Sequence, residues 1–196
     1  MKRFTLILLG LLLSLACLAQ DALLERLKAA NTFGTLQADF VQTRHSQMLT
    51  KDLVSEGRVA LVAPDKLRWE VVKPYRNVFV TEGEGDSFAS LGMTKGTSGM
   101  TQGTSGMTGK GNRRFRIPTD KDFSATVLEG EDVVVKLVPL RRDMKQMFRE
   151  IIVHADKKSL RIHTALLVTP EGDWTQLEFK NILTGQSIDP KLFEKE

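Results

Sequence analysis

Cysteine is nearly missing from this chain, since Cys17 is the only one among 196 residues. A framework of intrachain disulfides is therefore excluded, and an apolar core has to hold the fold together. Long apolar runs are missing after the N-terminus, so no later segment predicts a membrane-spanning helix. A strong excess of one charge is missing as well, because 28 basic residues accompany 24 acidic ones. This balance argues against nucleic acid or an anionic surface as the partner.

The first 19 residues have the composition of an export signal. Two basic residues precede the apolar run Phe4–Leu15, and small residues follow it up to Ala19. Cleavage after Ala19 predicts a single domain over residues 20–196, with about 177 residues and a net charge of +2. A second interpretation is a lipoprotein signal in which Cys17 carries a lipid anchor. Both interpretations predict that the chain leaves the cytoplasm.

Residue patterns that carry enzyme chemistry are not found in the sequence. It contains no G-x-S-x-G nucleophile elbow and no glycine-rich phosphate loop that follows a predicted strand. His154 and His163 lie on neighbouring predicted strands, but the pattern offers no third ligand for a metal ion. We therefore predict a protein that is not an enzyme and that uses no cofactor or metal.

The spacing of apolar residues changes from helical to strand-like near Leu36. Asp21–Asn31 has apolar residues at helical spacing and predicts a short amphipathic helix, whereas Arg141–Phe148 fits either a helix or a loop. Short alternating stretches with polar turns between them predict an α+β fold built on a curved, antiparallel sheet. The predicted strands are Leu36–Gln42, Val54–Val62, Leu67–Val72, Asn77–Thr81, Ser124–Leu128, Val133–Val138, Arg149–His154, Leu160–Val168 and Trp174–Phe179.

Residues 92–111 form a low-complexity insertion, GMTKGTSGMTQGTSGMTGKG, with a period of seven. The segment has no aromatic or branched aliphatic residue, and it lacks the paired apolar positions of a coiled coil. Its glycines are too frequent for a stable helix or strand. We interpret it as an insertion in a tolerant loop. The alternative is that Met93, Met100 and Met107 contact an apolar ligand or partner.

Arginine occurs at three places that need an interpretation. The segment 113–116 and the pair Arg141-Arg142 are typical of a solvated strand edge guarded by cations, and an acidic protein or a lipid headgroup is the alternative partner. Arg68 lies between Leu67 and Trp69 in a predicted strand and points to the face opposite them. Its guanidinium either lies in water beyond the sheet or is held under a lid by carbonyl groups of loops.

Several motifs occur in a constant order along both halves of the chain. In the first half they are Phe40-Val41-Gln42, Gly57-Arg58-Val59, Pro64–Glu70 and Lys73-Pro74-Tyr75. In the second half they are Val135–Pro139, Ile151–Leu160, Glu171–Phe179 and Ile188–Phe193. In this order they resemble LolA, the family of periplasmic outer-membrane lipoprotein carriers. The resemblance covers nearly the whole chain after residue 19 except the insertion, and Pro-x-x-x-Arg-Trp-Glu is its most specific motif.

The resemblance implies an incomplete (half) β-barrel covered by a few short helices, with an apolar cavity for the acyl chains of a lipoprotein. It implies a periplasmic, monomeric carrier that receives cargo from an inner-membrane release complex and passes it to an outer-membrane acceptor. Arg68 corresponds to an arginine that ties a lid to the barrel. The residues expected to line the cavity, each equally plausible as a core residue, are Leu36, Phe40, Leu67, Trp69, Val71, Phe79 and Leu137.

The chain also departs from the pattern of that family. The insertion follows the strand Asn77–Thr81, where the family continues with strands and lid segments, so we expect part of the lid to be altered. The chain ends three residues after Phe193, and we expect it to lack an additional C-terminal strand. Two other functions stay open. One is an outer-membrane-anchored acceptor that resembles LolB, with a lipid on Cys17, and the other is a sheet module that binds a protein.

Overall fold

A computed structural model describes residues 21–63, 66–81 and 122–194 of the chain. The predicted export signal, the insertion at residues 92–111 and the basic segment 113–116 lie outside the described residues. The division into a signal and one domain over residues 20–196 therefore stays a prediction. Within the described ranges, no helix is long and apolar enough to cross a bilayer.

The described chain contains nine strands and three short helical segments. Helix α1 covers residues 21–30, α2 covers Arg142–Met147, and a 3-10 helix covers Pro190–Phe193. The strands are β1 (Thr35–His45), β2 (Leu53–Val62), β3 (Lys66–Lys73), β4 (Asn77–Thr81), β5 (Phe123–Glu129), β6 (Val133–Pro139), β7 (Glu150–Ala155), β8 (Ile162–Val168) and β9 (Trp174–Thr184).

Two strand boundaries differ from the prediction for a backbone reason. Leu160 was predicted to begin β8, but its φ of 57° lies in the left-handed region and it ends a turn in which its amide donates to the carbonyl of Asp156. β9 was predicted to end at Phe179, where the apolar alternation stops. It continues to Thr184 through Asn181, which has a φ of 53° and donates a side-chain hydrogen bond of 2.7 Å to Asp39.

The strands form one antiparallel sheet in the order β4-β3-β2-β1-β9-β8-β7-β6-β5. The sheet is open, because β4 and β5 stand at its two ends among the described strands. This arrangement confirms the prediction of an α+β fold with an open antiparallel sheet and few helices. The chain divides into two compact units: unit 1 contains the described residues 21–32, 41–54 and 122–180, and unit 2 contains 33–40, 55–63, 66–81 and 181–194.

The core of unit 1 forms where α1 packs on one face of the strands. Leu27 of α1 is buried against Val127, Val133 and Val135. The side chain of Asn31 secures the end of the helix, since its amide donates to the carbonyls of Leu27 and Leu160 at 2.8 and 2.7 Å. One amide side chain thus satisfies carbonyls at a helix end and in a distant turn.

The core of unit 2 occupies both faces of β2 and β3. On one face, Phe40 stacks on Trp69 with ring centroids 4.0 Å apart. On the other face, Ala60 packs with Ile188 and Phe193, which flank and end the C-terminal 3-10 helix. Burial of both faces explains why this part of β3 contains three consecutive buried residues instead of a simple alternation.

Candidate functional site

Arg68 lies in β3 and points toward the C-terminal 3-10 helix. It is directly opposite Ala60 of β2 and Val80 of β4, so these three side chains share a face. Its Nη1 donates a hydrogen bond of 3.0 Å to the carbonyl oxygen of Leu192. Only 8% of the residue is exposed, which places the guanidinium inside the protein. Its role as the latch of a lid stays a prediction.

Glu70 neutralises this buried guanidinium. Its Oε2 accepts hydrogen bonds from Nε and Nη2 of Arg68 at 3.3 and 3.2 Å, and its Oε1 accepts one from Arg76 at 3.0 Å. Burial raises the pKa of Glu70, but the hydrogen bonds and charges of Arg76 and Arg68 outweigh it and bring the pKa below its ordinary value. The carboxylate therefore stays charged near neutral pH and holds Arg68 toward the helix.

Most of the predicted cavity residues lie in unit 2, on the face opposite Arg68. Leu67 and Trp69 are buried, and Phe40 covers Trp69. Phe79 pairs with Trp69 across β3 and β4 and is 38% exposed. Leu36 and Val71 are partly buried. These six side chains are therefore packed to different extents, and whether they line a cavity stays a prediction.

Leu137, the remaining predicted cavity residue, lies in unit 1. The strand register puts it in a row with Ile151 and Leu167, and a second row runs from Val135 through Val153 and Ala165 to Leu177. The two rows lie on the face of the sheet that α1 covers at Val135. We define the apolar band as the six members of these rows that are only partly buried: Leu137, Ile151, Val153, Ala165, Leu167 and Leu177.

The opposite face of the same strands carries a groove of about 360 Å³. Its floor contains Ile152, Leu166 and Val168, whose neighbours in sequence belong to the apolar band. Its rim is polar, with Arg149 next to Glu150 at 3.4 Å. The two faces of β7 and β8 thus offer an aliphatic surface on one side and a mixed polar groove on the other.

The two neighbouring histidines approach each other as the strand order suggests. The ring centroids of His154 and His163 are 6.5 Å apart, and Nε2 of His163 lies 3.2 Å from a carboxylate oxygen of Asp132. No group of three histidine, cysteine, aspartate or glutamate residues with an arrangement suited to a metal ion occurs in the part of the chain that the structure describes.

Comparison with known proteins points to one family. Residues 31–92 match the model of the family described as outer membrane lipoprotein carrier protein LolA. An outer-membrane lipoprotein carrier protein of Methylococcus capsulatus is 28% identical over 162 residues, which cover 82% of this chain and 76% of the relative. The chain resembles the LolA family.

The chain is also similar to two further proteins. An outer-membrane lipoprotein carrier protein of Dechloromonas aromatica is 44% identical over 50 residues, which cover 26% of this chain and 24% of the relative. The crystal structure of MucB has 14% identity and a TM-score of 0.50, and the likeness spans 91% of this chain and 63% of MucB. At this identity, the MucB likeness concerns the fold alone.

Sequence reasoning missed most of the apolar band. Ile151, Val153 and Leu167 read as ordinary alternating strand residues, because the sequence does not reveal which strand lies beside which. The strand register supplies that information and places these residues in continuous rows. A useful signal was the run of aliphatic residues on both faces of β7 and β8, which exceeds what one buried face requires.

Arg68→Met is expected to loosen the C-terminal 3-10 helix while the sheet stays folded. Loss of the bond to Leu192 leaves a carbonyl without its charged donor, and we expect the free energy of unfolding to fall by about 2 kcal/mol. Hydrogen exchange by mass spectrometry should show faster exchange of the amides in residues 190–194.

Arg58→Met is the matched control for this change. Arg58 is also in unit 2, but its side chain is 75% exposed and lies 3.7 Å from Asp39, so its removal should leave exchange at the 3-10 helix unchanged. Equal exchange in wild type and Arg68→Met would contradict a role of Arg68 in holding this helix.

Proposed function

We propose that the protein is a periplasmic carrier that shields the acyl chains of lipoproteins during transfer from the inner to the outer membrane. The resemblance to LolA supports the type of cargo. The apolar band of unit 1 is the observation that carries the proposal. It is a surface of aliphatic side chains on a sheet face that α1 covers only in part.

A carrier for acyl chains needs such a surface for an energetic reason. Exposure of a chain to water costs about 0.8 kcal/mol per CH₂, which reaches on the order of 10 kcal/mol for a long fatty acid. A tightly packed core has no room for a guest, because protein interiors are as dense as organic crystals. Partly buried leucine, isoleucine and valine side chains retain the contact area that a flexible guest can cover.

The latch predicted at Arg68 gives this carrier a means of release. In the proposal, the C-terminal 3-10 helix is held by the hydrogen bond that Arg68 donates to the carbonyl of Leu192, and Glu70 positions Arg68. These are polar contacts that a partner protein can replace. An inner-membrane release complex would load the carrier and an outer-membrane acceptor would unload it. The proposed carrier is a monomer without enzymatic activity or cofactor.

Leu167→Asp tests the carrier function, and Leu166→Asp is its matched control. The two leucines are neighbours in β8 and both are partly buried, but they lie on opposite faces of the sheet. A carboxylate on the apolar band should repel acyl chains. We expect binding of a fluorescent fatty acid to weaken at least about tenfold in Leu167→Asp and to change little in Leu166→Asp.

Circular dichroism and thermal unfolding show whether each variant is folded, and Leu167→Met, which keeps the volume and the apolar character, should retain binding. Loss of fatty-acid binding in Leu166→Asp alone would indicate that the cargo binds in the groove lined by Arg149 instead of on the apolar band. Absence of fatty-acid binding by the wild type, together with an intact mass that shows no co-purified lipid, would overturn the carrier proposal.

A second candidate function is an acceptor anchored to the outer membrane through Cys17. The position of that cysteine after the apolar N-terminal run favours it. The mass of the protein purified from the envelope distinguishes the two. A chain that begins at Gln20 supports the carrier, whereas a lipidated Cys17 supports the acceptor.

A further inference from the structure

The loop between β1 and β2, together with the first two residues of β2, exposes four large apolar side chains within seven residues. Met48 is 94% exposed, Leu49 42%, Leu53 55% and Val54 54%. We call residues 48–54 the apolar loop, although Thr50, Lys51 and Asp52 in its middle are polar and exposed as well. Single exposed apolar residues are common on protein surfaces, but four of them in one short segment indicate a contact with another apolar surface.

The chain that leads into the apolar loop is fixed by hydrogen bonds. The hydroxyl of Ser46 and the backbone amide of Gln47 donate to the two carboxylate oxygens of Asp173, at 2.8 and 3.0 Å. The side-chain amide of Gln47 donates to the carbonyl of Glu171 at 2.7 Å, and the amide of Leu49 donates to the carbonyl of Ser46 at 2.9 Å. The exposed side chains are therefore presented on an ordered base, so little conformational entropy remains to be lost when they bind.

Polar and aromatic groups surround that base. His45 forms a 2.7 Å contact between Nδ1 and the carboxylate of Asp52, and its ring stacks on Trp174 with centroids 5.4 Å apart. The exposed aliphatic side chains are thus accompanied by polar groups and a tryptophan. A segment that enters a membrane interface has the same combination, because tryptophan and polar groups remain at the level of the headgroups.

We infer that the apolar loop inserts into the interfacial region of a lipid bilayer. Leu53 and Val54 are consecutive in β2 and so point to opposite sides of the strand, yet more than half of each is exposed. A groove on a partner protein would cover one of these sides. A bilayer surrounds an inserted tip on all sides and covers both. The near balance of charge in the chain indicates apolar rather than electrostatic attraction.

Flotation with unilamellar vesicles of phosphatidylcholine tests this inference on the exported, purified protein. The wild type should float with the vesicles, and the fraction bound should change little between 0.1 and 0.5 M NaCl, since screening does not weaken apolar contacts. The double variant Met48→Asp with Leu49→Asp should partition at least about tenfold more weakly. The matched control is Leu128→Asp, which changes a leucine of unit 1 that is also exposed and lies on β5.

The double variant should keep the circular dichroism spectrum of the wild type, which shows that it is folded. It should also still bind the fluorescent fatty acid, which shows that membrane contact is separate from the binding of cargo. If the two introduced aspartates disturb folding, the double variant Met48→Ser with Leu49→Ser replaces the first one. A wild type that stays with the aqueous fraction, or a folded double variant that floats like the wild type, would overturn the inference and leave a protein partner as the occupant of the loop.

Discussion

Gly57→Ala is expected to lower the free energy of unfolding by about 3 kcal/mol, at the upper end of the cost of overpacking. A methyl group at this position would overlap the carbonyl oxygen of Glu70 and the ring of Phe40. The ring is able to shift, but the carbonyl belongs to the neighbouring strand and moves only if β2 and β3 separate. The strand register already shifts between Glu56 and Gly57, so the backbone has little freedom left here. Urea unfolding of both proteins measures the difference.

Gly34→Ala is the control for this substitution. Gly34 is also in unit 2, and no atom lies within 4 Å of the place where its methyl group would stand. We expect its stability to stay within about 0.5 kcal/mol of the wild type. Equal stabilities of the two variants would show that β2 and β3 adapt at Gly57 without cost.

Phe40→Ala should be similarly damaging, with an expected loss of about 3–5 kcal/mol. Phe40 is among the largest fully buried side chains of the described residues, and its ring stacks on Trp69 at 4.0 Å with an angle of 24° between the planes. Its removal leaves a cavity between β1 and β3 and takes away an aromatic contact. Urea unfolding and the near-ultraviolet circular dichroism of Trp69 report the two effects.

Phe79→Ala is the control, because it removes the same phenyl ring from a residue that lies opposite the same tryptophan but is 38% exposed. Its loss should cost about 1 kcal/mol, which is the usual value for a partly exposed side chain. A Phe40→Ala protein as stable as Phe79→Ala would place Phe40 in a loosely packed pocket. That result would also make it a stronger candidate for the lining of a ligand cavity.

The strands were predictable because their signal is local. Alternation of apolar residues located every strand, and for Asn77–Thr81 it gave both ends correctly. The prediction failed at Leu160, whose left-handed conformation places it in a turn before β8, and at the end of β9, which continues past Phe179 through the left-handed Asn181. At Leu160 this conformation accompanies a local turn hydrogen bond to Asp156, and at Asn181 it accompanies a side-chain bond to the distant Asp39. Residue types alone do not predict a left-handed conformation at these two positions.

The candidate site was less predictable because it depends on contacts distant in sequence. The sequence singled out Arg68, but its partner Leu192 is 124 residues away and contributes a backbone carbonyl, which has no signature in the sequence. The sequence suggested Leu137 as a candidate, whereas Ile151 and Leu167 became candidates only through the register that aligns them with it. The need for glycine at residue 57 has the same origin, since the atom it avoids belongs to another strand.

The arrangement of unit 2 along the chain has a consequence for biosynthesis. The unit combines a stretch around β1 with β2 to β4 and with the last residues of the chain, and its core joins Ala60 to Ile188 and Phe193. Ribosomes release the N-terminal stretches first, so β2 and β3 emerge long before the residues that cover one of their faces. Their apolar side chains therefore stay without this cover until residues 188–193 have been synthesised. A chain that stalls before Ile188 would expose this surface permanently and become a substrate for proteases or chaperones.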